Sequence, residues 1–278
     1  MTAPIRTRSW LFTPATRPER FAKASQAGAD VAILDLEDAV APGDKARART
    51  TALDYLTKNP SDGALHALRI NGLDTRAGIS DLDALLGSTA APDFLVLPKT
   101  ETAGHIEILD RLLTAAGKAT RLIGLIESAR GLAAIEAIAT ATPRLAGLML
   151  GAADMAADLG ATVAWEPLAF VRCRLIAACA LAGVVSVDSP YFDLHDEPGL
   201  KREVNGAVTF GFSAKAAIHP AQIGAINAAL SPSAEAVKRA RAILAENTKG
   251  VGTVDGQMID EAVARKARRT LFSAGLEA

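Results

Sequence analysis

Two cysteines are all this chain has, Cys173 and Cys179. Six residues apart in an alanine-rich stretch, they match neither zinc-ligand spacing nor a redox pair, and both are expected to be buried as small apolar residues. Aromatics are scarce at 4%, although half the chain is hydrophobic. Alanine supplies much of that half, which suits helices packed tightly against a sheet. An excess of one charge is also missing. Thirty basic residues against thirty-one acidic ones, with a pI near 6.4, leave no footprint for nucleic acid or an anionic membrane. No run approaches the ~20 apolar residues of a membrane span, and the N-terminus, MTAPIRTRSWLF, carries no apolar signal segment. A cytoplasmic enzyme with no membrane partner is expected. The G-x-S-x-G elbow, the P-loop and G-x-G-x-x-G are absent, which sets aside the reactions built on them.

What the chain does have is eight short apolar runs: 9–15, 31–38, 66–71, 94–100, 121–128, 147–154, 184–191 and 213–220. Most are continuous rather than alternating, as in strands buried on both faces. Amphipathic helical stretches such as HIEILDRLLTAAG separate them, and that alternation implies a parallel sheet. Eight repeats predict an α/β fold, a (β/α)8 TIM barrel over residues 1–230. Gly28, Gly117 and Gly183 each stand where a helix closes before a strand. Residues 231–278 read as a C-terminal helical extension: a helix over 232–247, a glycine-broken turn and a last helix. This tail is expected to dock on the barrel or on a neighbouring subunit.

Strand C-termini point into the active site of such a barrel, and here they collect polar groups. Asp35, Glu37 and Asp38 end the second run, Arg69 and Asn71 the third, and Pro98, Lys99 and Thr100 the fourth. Glu127 and Asp154 end the fifth and sixth, Asp188 the seventh, and Lys215 and His219 the eighth. A single charged residue at a strand end is most often a helix cap or a loop ion pair; seven strands contributing to one face is a pattern. Glu127 and Asp154 suit magnesium, which takes one or two carboxylates and completes its shell with water and substrate oxygens. The alternative for Asp154 is an N-cap of a helix opening at Met155. Arg69 suits a substrate carboxylate through its planar fork, or else a buried ion pair with the strand-two acids. Lys45 either neutralises those acids or touches a phosphate of a cofactor, and His219 is a second, weaker candidate for cofactor contact. Lys99 has the position of a Schiff-base lysine, but neighbouring carboxylates should raise its pKa, the wrong direction for that chemistry.

The segments RSWLFTPA, ILDLEDAVAPGDKARAR, LRINGLDT, LVLPKTE, LIGLIESARGL, GAADMAADLGA, SVDSPYFDLHD, GFSAKAAIHPAQI and GQMID, in this order, resemble the β-subunit of citrate lyase and its relatives, the malyl-CoA, methylmalyl-CoA and citramalyl-CoA lyases. The resemblance runs from about residue 6 to 270. It implies a metal-dependent carbon–carbon lyase that forms trimers or hexamers. It also implies magnesium (or manganese) on Glu127 and Asp154, Arg69 on the keto-acid oxygens, and Asp38 in the acidic motif near the metal. The tail aspartate of the family corresponds to Asp260; in the acyl-CoA lyases it reaches a neighbouring subunit's site and takes part in catalysis. Read without the resemblance, Asp260 is an N-cap of the last helix. Related hydroxy-keto-acid aldolases carry a histidine where this chain reads DLEDAV, which favours the lyase branch. The longer malyl-CoA lyases have a large C-terminal domain that is not seen here. The expected reaction splits a 3-hydroxy-acyl thioester of the malyl, citramalyl or citryl type into a 2-keto acid and an acyl thioester. Two other readings stand beside it: an acyl-CoA thioesterase using the same site, and a partner-dependent subunit acting on an acyl-carrier protein.

Overall fold

In the computed structural model, residues 7–58, 63–247, 252–255 and 257–276 are described. Strands β1 (Ser9–Pro14), β2 (Val31–Asp35), β3 (Leu65–Arg69), β4 (Phe94–Leu97), β5 (Arg121–Ile126), β6 (Leu145–Leu150), β7 (Val185–Asp188) and β8 (Ala214–Ala217) close into one parallel barrel in sequence order. The first eight helices are α1 (Phe21–Gln26), α2 (Lys45–Thr57), α3 (Arg76–Gly87), α4 (Ala103–Ala115), α5 (Ala129–Ala133), α6 (Ile135–Ala139), α7 (Ala152–Leu159) and α8 (Ala169–Ala182). Helices α9 (Glu197–Phe210) and α10 (Ile223–Leu230) complete the ring. The TIM barrel is thus the observed fold. Gly28, Gly117 and Gly183 adopt the left-handed φ of +80°, +66° and +68° that a helix stop before a strand requires.

Side chains alternate between two cores. Trp10, Ile33, Ala67, Val96, Ile123, Leu125, Met149, Val187 and Ala216 fill the barrel interior. Their neighbours Leu34, Leu68, Leu95, Leu122 and Leu148 face the helices. A strand reverses direction every residue. Counting by two from the interior residues therefore carries Phe12, Asp35, Arg69, Glu127 and Ile218 into the C-terminal mouth. The same count turns Asp188 and Lys215 outward, which corrects their expected place on the catalytic face.

The strands end earlier than the apolar runs. β2 stops at Asp35, not Asp38, and β6 spans Leu145–Leu150 with a register irregularity against β5 at Leu122/Ile123. Asp154 is therefore not on a strand end. It sits in the first turn of α7, which opens at Ala152 after Gly151, so it is not the N-cap of a helix starting at Met155 either. Cys179 is buried on the inner face of α8, whereas Cys173 lies on its outer face and is exposed, contrary to expectation.

After the barrel, α11 (Ala234–Asn247), a hairpin of β9 (Gly252–Val254) and β10 (Gln257–Ile259), and α12 (Glu261–Ser273) follow. Ala240, Ile243, Ile259, Ala267 and Leu271 form their shared core. Phe272 and Ser273 of α12 come up beside Trp10, Phe94 and Arg121 at the N-terminal end of the barrel. Among the described residues no helix is long and apolar enough to cross a membrane.

Candidate active site

The mouth holds a cavity of about 400 Å³. Its charged sector comes from β2, β3, β5 and the α7 turn: Asp35, Asp38, Arg69, Glu127 and Asp154 all line it. Its apolar sector comes from β1 and the loops after β7 and β8, through Phe12, Pro14, Pro190, Phe192 and Ile218. Five of the polar strand-end residues marked from the sequence are thus brought to one space.

Arg69 is the centre of the β2–β3 sector. It lies opposite Asp35 in the ladder and grips it with two hydrogen bonds, Nε to Oδ1 and Nη2 to Oδ2, both 2.6 Å. Its Nη1 lies 2.7 Å from Glu37 Oε2 and 3.6 Å from Asp38 Oδ2. The guanidinium stacks 4.8 Å from the Phe12 ring centroid. Burial works against its charge, but Asp35, Glu37 and Asp38 together raise its pKa above the ordinary value. The buried ion pair with the strand-two acids is therefore present. Two of the five guanidinium N–H groups make hydrogen bonds, both to Asp35, while Nη1 adds the ion pair with Glu37.

Lys99 joins β4 to the same cluster. Its backbone has φ +48°, uncommon for a residue with a side chain. That conformation directs its N–H to Glu127 Oε1 at 2.7 Å while its Nζ donates to Glu37 Oε1 at 2.8 Å. Partial burial lowers the lysine pKa, but Glu37, Glu127 and Asp38 outweigh it and hold the ammonium above its usual range. A neutral amine for imine chemistry is disfavoured, as expected.

Glu127 is the least compensated carboxylate. It is 4% exposed. Burial first, then the charges of Glu37 and Asp154, push its pKa up to about 8 against the pull of the Lys99 N–H and ammonium. Glu37 is raised too, by burial, against Arg69 and Lys99. The Glu127 side chain lies so close over Gly151 that a Cβ there would overlap it. Five carboxylates (Asp35, Glu37, Asp38, Glu127, Asp154) meet here with the cations Arg69 and Lys99 among them. Such a donor set fits a hard divalent cation. Among the described residues no three His, Cys, Asp or Glu side chains are arranged as a complete metal shell. Two carboxylates with open positions for water and substrate oxygens is the magnesium pattern.

Three candidates lie elsewhere. Lys45 is behind the acidic loop: its Nζ donates to Leu36 O (3.1 Å), Glu37 O (2.9 Å) and Asn71 Oδ1. It braces the loop from below and does not line the cavity. His219 accepts from Ala221 N through Nδ1 and caps a short turn. Asp260 is exposed, accepts from Val263 N, and caps α12, outside the cavity of its own chain. Asp188 and Lys215 form a buried ion cluster with Arg172 and Glu203 between the barrel and α8–α9. Sequence reading missed the apolar sector and Gly151. Counting by two along β1 and β8 was the available signal for Phe12 and Ile218; nothing local marked Phe192.

Fold and mouth define the class: a (β/α)8-barrel enzyme whose C-terminal mouth gathers carboxylates from the ends of β2 and β5 and from α7 around the Arg69 guanidinium of β3. The chain belongs to the HpcH/HpaI aldolase/citrate lyase family, whose model matches residues 8–220. The L-malyl-CoA/beta-methylmalyl-CoA lyase of Rhodobacter capsulatus is 36% identical, with 95% of this chain and 94% of that protein aligned. The citrate lyase subunit beta-like protein of Mycobacterium tuberculosis is 38% identical over 96% of this chain and 95% of that one. Among solved structures, RipC from Yersinia pestis is 57% identical, with a TM-score of 0.75 over 84% of this chain and 98% of that chain. CitE from Mycobacterium tuberculosis in complex with magnesium, acetoacetate and coenzyme A is 36% identical, with a TM-score of 0.80 over 97% and 98%.

Proposed function

We propose that the chain is a magnesium-dependent carbon–carbon lyase that cleaves a 3-hydroxy-acyl-CoA of the malyl, citramalyl or citryl type into a 2-keto acid and an acyl-CoA. The observation that carries this reading is the buried, under-compensated Glu127 facing Asp154 across one cavity. Relatives named as acyl-CoA lyases, and a neighbour holding magnesium with coenzyme A, support it. Glu127 and Asp154 would hold magnesium, or manganese in its place. When bound, the cation supplies Lewis acidity that lowers the substrate hydroxyl's pKa and stabilises the carbonyl that forms. Arg69, fixed by Asp35, keeps N–H groups outside that pair for the keto-acid oxygens. Asp38 stands at the rim of the same cluster, 3.6 Å from Arg69.

The bond electrons move from the carbon–carbon bond to the thioester side as the hydroxyl gives its proton to water in the open mouth. The resulting enolate takes one proton to become the acyl-CoA. Asp260 of a neighbouring subunit is the proposed donor; its exposure in its own chain supports that assignment. A homotrimer or hexamer in the cytoplasm would place it there, and the exposed Phe170 and Leu181 on α8 suit such contacts. The same site would serve an acyl group carried by an acyl-carrier protein instead of CoA. Glu127→Gln should abolish magnesium binding and nearly all turnover; full magnesium-dependent activity in that variant contradicts the ligand assignment. Asp260→Asn should lose turnover while keeping magnesium and keto-acid binding.

A further inference from the structure

Two buried side chains behind the apolar sector hold it in place. The Lys215 Nζ, fully buried, donates to Ser189 O at 2.7 Å, as well as to Asp188 Oδ2 and Glu203 Oε1. The Gln222 amide is 4% exposed. Its Nε2 donates to Tyr191 O at 2.7 Å, and its Oε1 accepts from Ile218 N at 3.0 Å and His219 N at 3.3 Å. The carbonyls on either side of Pro190 are therefore both pinned, one by Lys215 and one by Gln222. Gln222 also ties the β7–α9 loop to the loop after β8. Those two loops present Pro190, Phe192 and Ile218 to the cavity.

We propose that Gln222 is a positioning residue that fixes the relative placement of Pro190, Phe192 and Ile218 and so sets the site's grip on the uncharged carbons of the substrate, with Lys215 holding the far end of the same loop. Phe192 and Ile218 are half-exposed, so little packing behind them would resist a shift of their backbone. A buried amide making three backbone hydrogen bonds is a strong restraint, because each bond broken leaves a buried group unpaired. Displacements of about 1 Å in a substrate wall cost up to about 100-fold in efficiency. The charged sector lies on other strands and does not depend on this amide. The inference rests on the lyase reading for its kinetic arm, while its structural arm stands alone.

Gln222→Glu is the discriminating variant. Measured at about pH 9, where its carboxyl is ionised, it still accepts from Ile218 N and His219 N but has no donor for Tyr191 O. Hydrogen exchange of the purified protein should show faster exchange in peptides covering 189–194, with 218–219 still protected. With magnesium and the hydroxy-acyl-CoA it cleaves best, KM should rise about tenfold while kcat stays within about twofold. The Kd for pyruvate, measured by calorimetry with magnesium present, should weaken by a similar factor, and the magnesium Kd itself should not change. Gln222→Leu should loosen both loops. Unchanged exchange in 189–194 overturns the proposal. So does faster exchange with unchanged pyruvate Kd, since the amide would then be only structural. Loss of magnesium affinity overturns it too, by showing that the whole site moves. Absence of cleavage by the wild type sinks the lyase reading alone, and the exchange and pyruvate measurements still decide this one.

Discussion

Magnesium binding should displace a proton from Glu127, and the amount follows from its surroundings. Burial, Glu37 and Asp154 raise its pKa to about 8 in the metal-free protein. At pH 7 the carboxyl is then about nine-tenths protonated, whereas a metal ligand must be deprotonated. Each ion bound should release about 0.9 proton at pH 7 and about 0.1 at pH 9. Apparent affinity should rise about tenfold per pH unit up to about pH 8, or about 1.4 kcal/mol per unit, and then level off. Titration calorimetry in two buffers of different ionisation enthalpy reads the proton count directly. Glu127→Gln should remove both the proton release and most of the affinity. A wild type that binds magnesium with no proton release at pH 7, and with affinity flat from pH 6 to 8, refutes the placement of the ion on Glu127.

The same shift makes a stability prediction. Glu127 is protonated in both states below its ordinary pKa of 4.5, and its favourable contribution is lost as pH rises toward about 8, where the folded group must ionise. The metal-free wild type should therefore lose up to about 5 kcal/mol relative to Glu127→Gln between pH 4.5 and 8, read by urea denaturation, with a constant difference contradicting it. Gly151→Ala should push the Glu127 side chain aside and weaken magnesium binding about 10- to 100-fold, measured by calorimetry, with the barrel's far-UV spectrum unchanged. Lys215→Met leaves Asp188 and Glu203 short of a buried partner and should cost about 3 kcal/mol in chemical denaturation. A loss under about 0.5 kcal/mol would show that Arg172 alone satisfies Asp188.

The barrel was legible because strands buried on both faces are written as continuous apolar runs, and eight of them with helices between leave little choice of architecture. Their ends were not legible. The apolar run through LDLED does not mark where the hydrogen-bonded ladder stops, and β2 stops at Asp35. Alanine serves a helix as well as a strand, so GAAD read as strand end although α7 begins at Ala152. Asp154 still reaches the mouth, since the first turn of that helix hangs over it. Residue type alone also hid which way a side chain points. Asp188 and Lys215 stand one residue out of phase with Val187 and Ala216, and that phase sends them to the helices. Lys45 looked free for a phosphate because its partners, Asn71 and the Leu36 and Glu37 carbonyls, are brought to it only by folding. Asp260 carries the N-cap hydrogen bond that its local sequence suggested; any further role needs a second subunit.

The most direct test is to incubate the purified protein with magnesium and malyl-, citramalyl- or citryl-CoA in turn, and to identify the products by mass spectrometry. A 2-keto acid with acyl-CoA, formed from at least one of them and abolished by EDTA, is the predicted result. Free CoA with the hydroxy acid intact would contradict the lyase and assign the mouth to thioester hydrolysis.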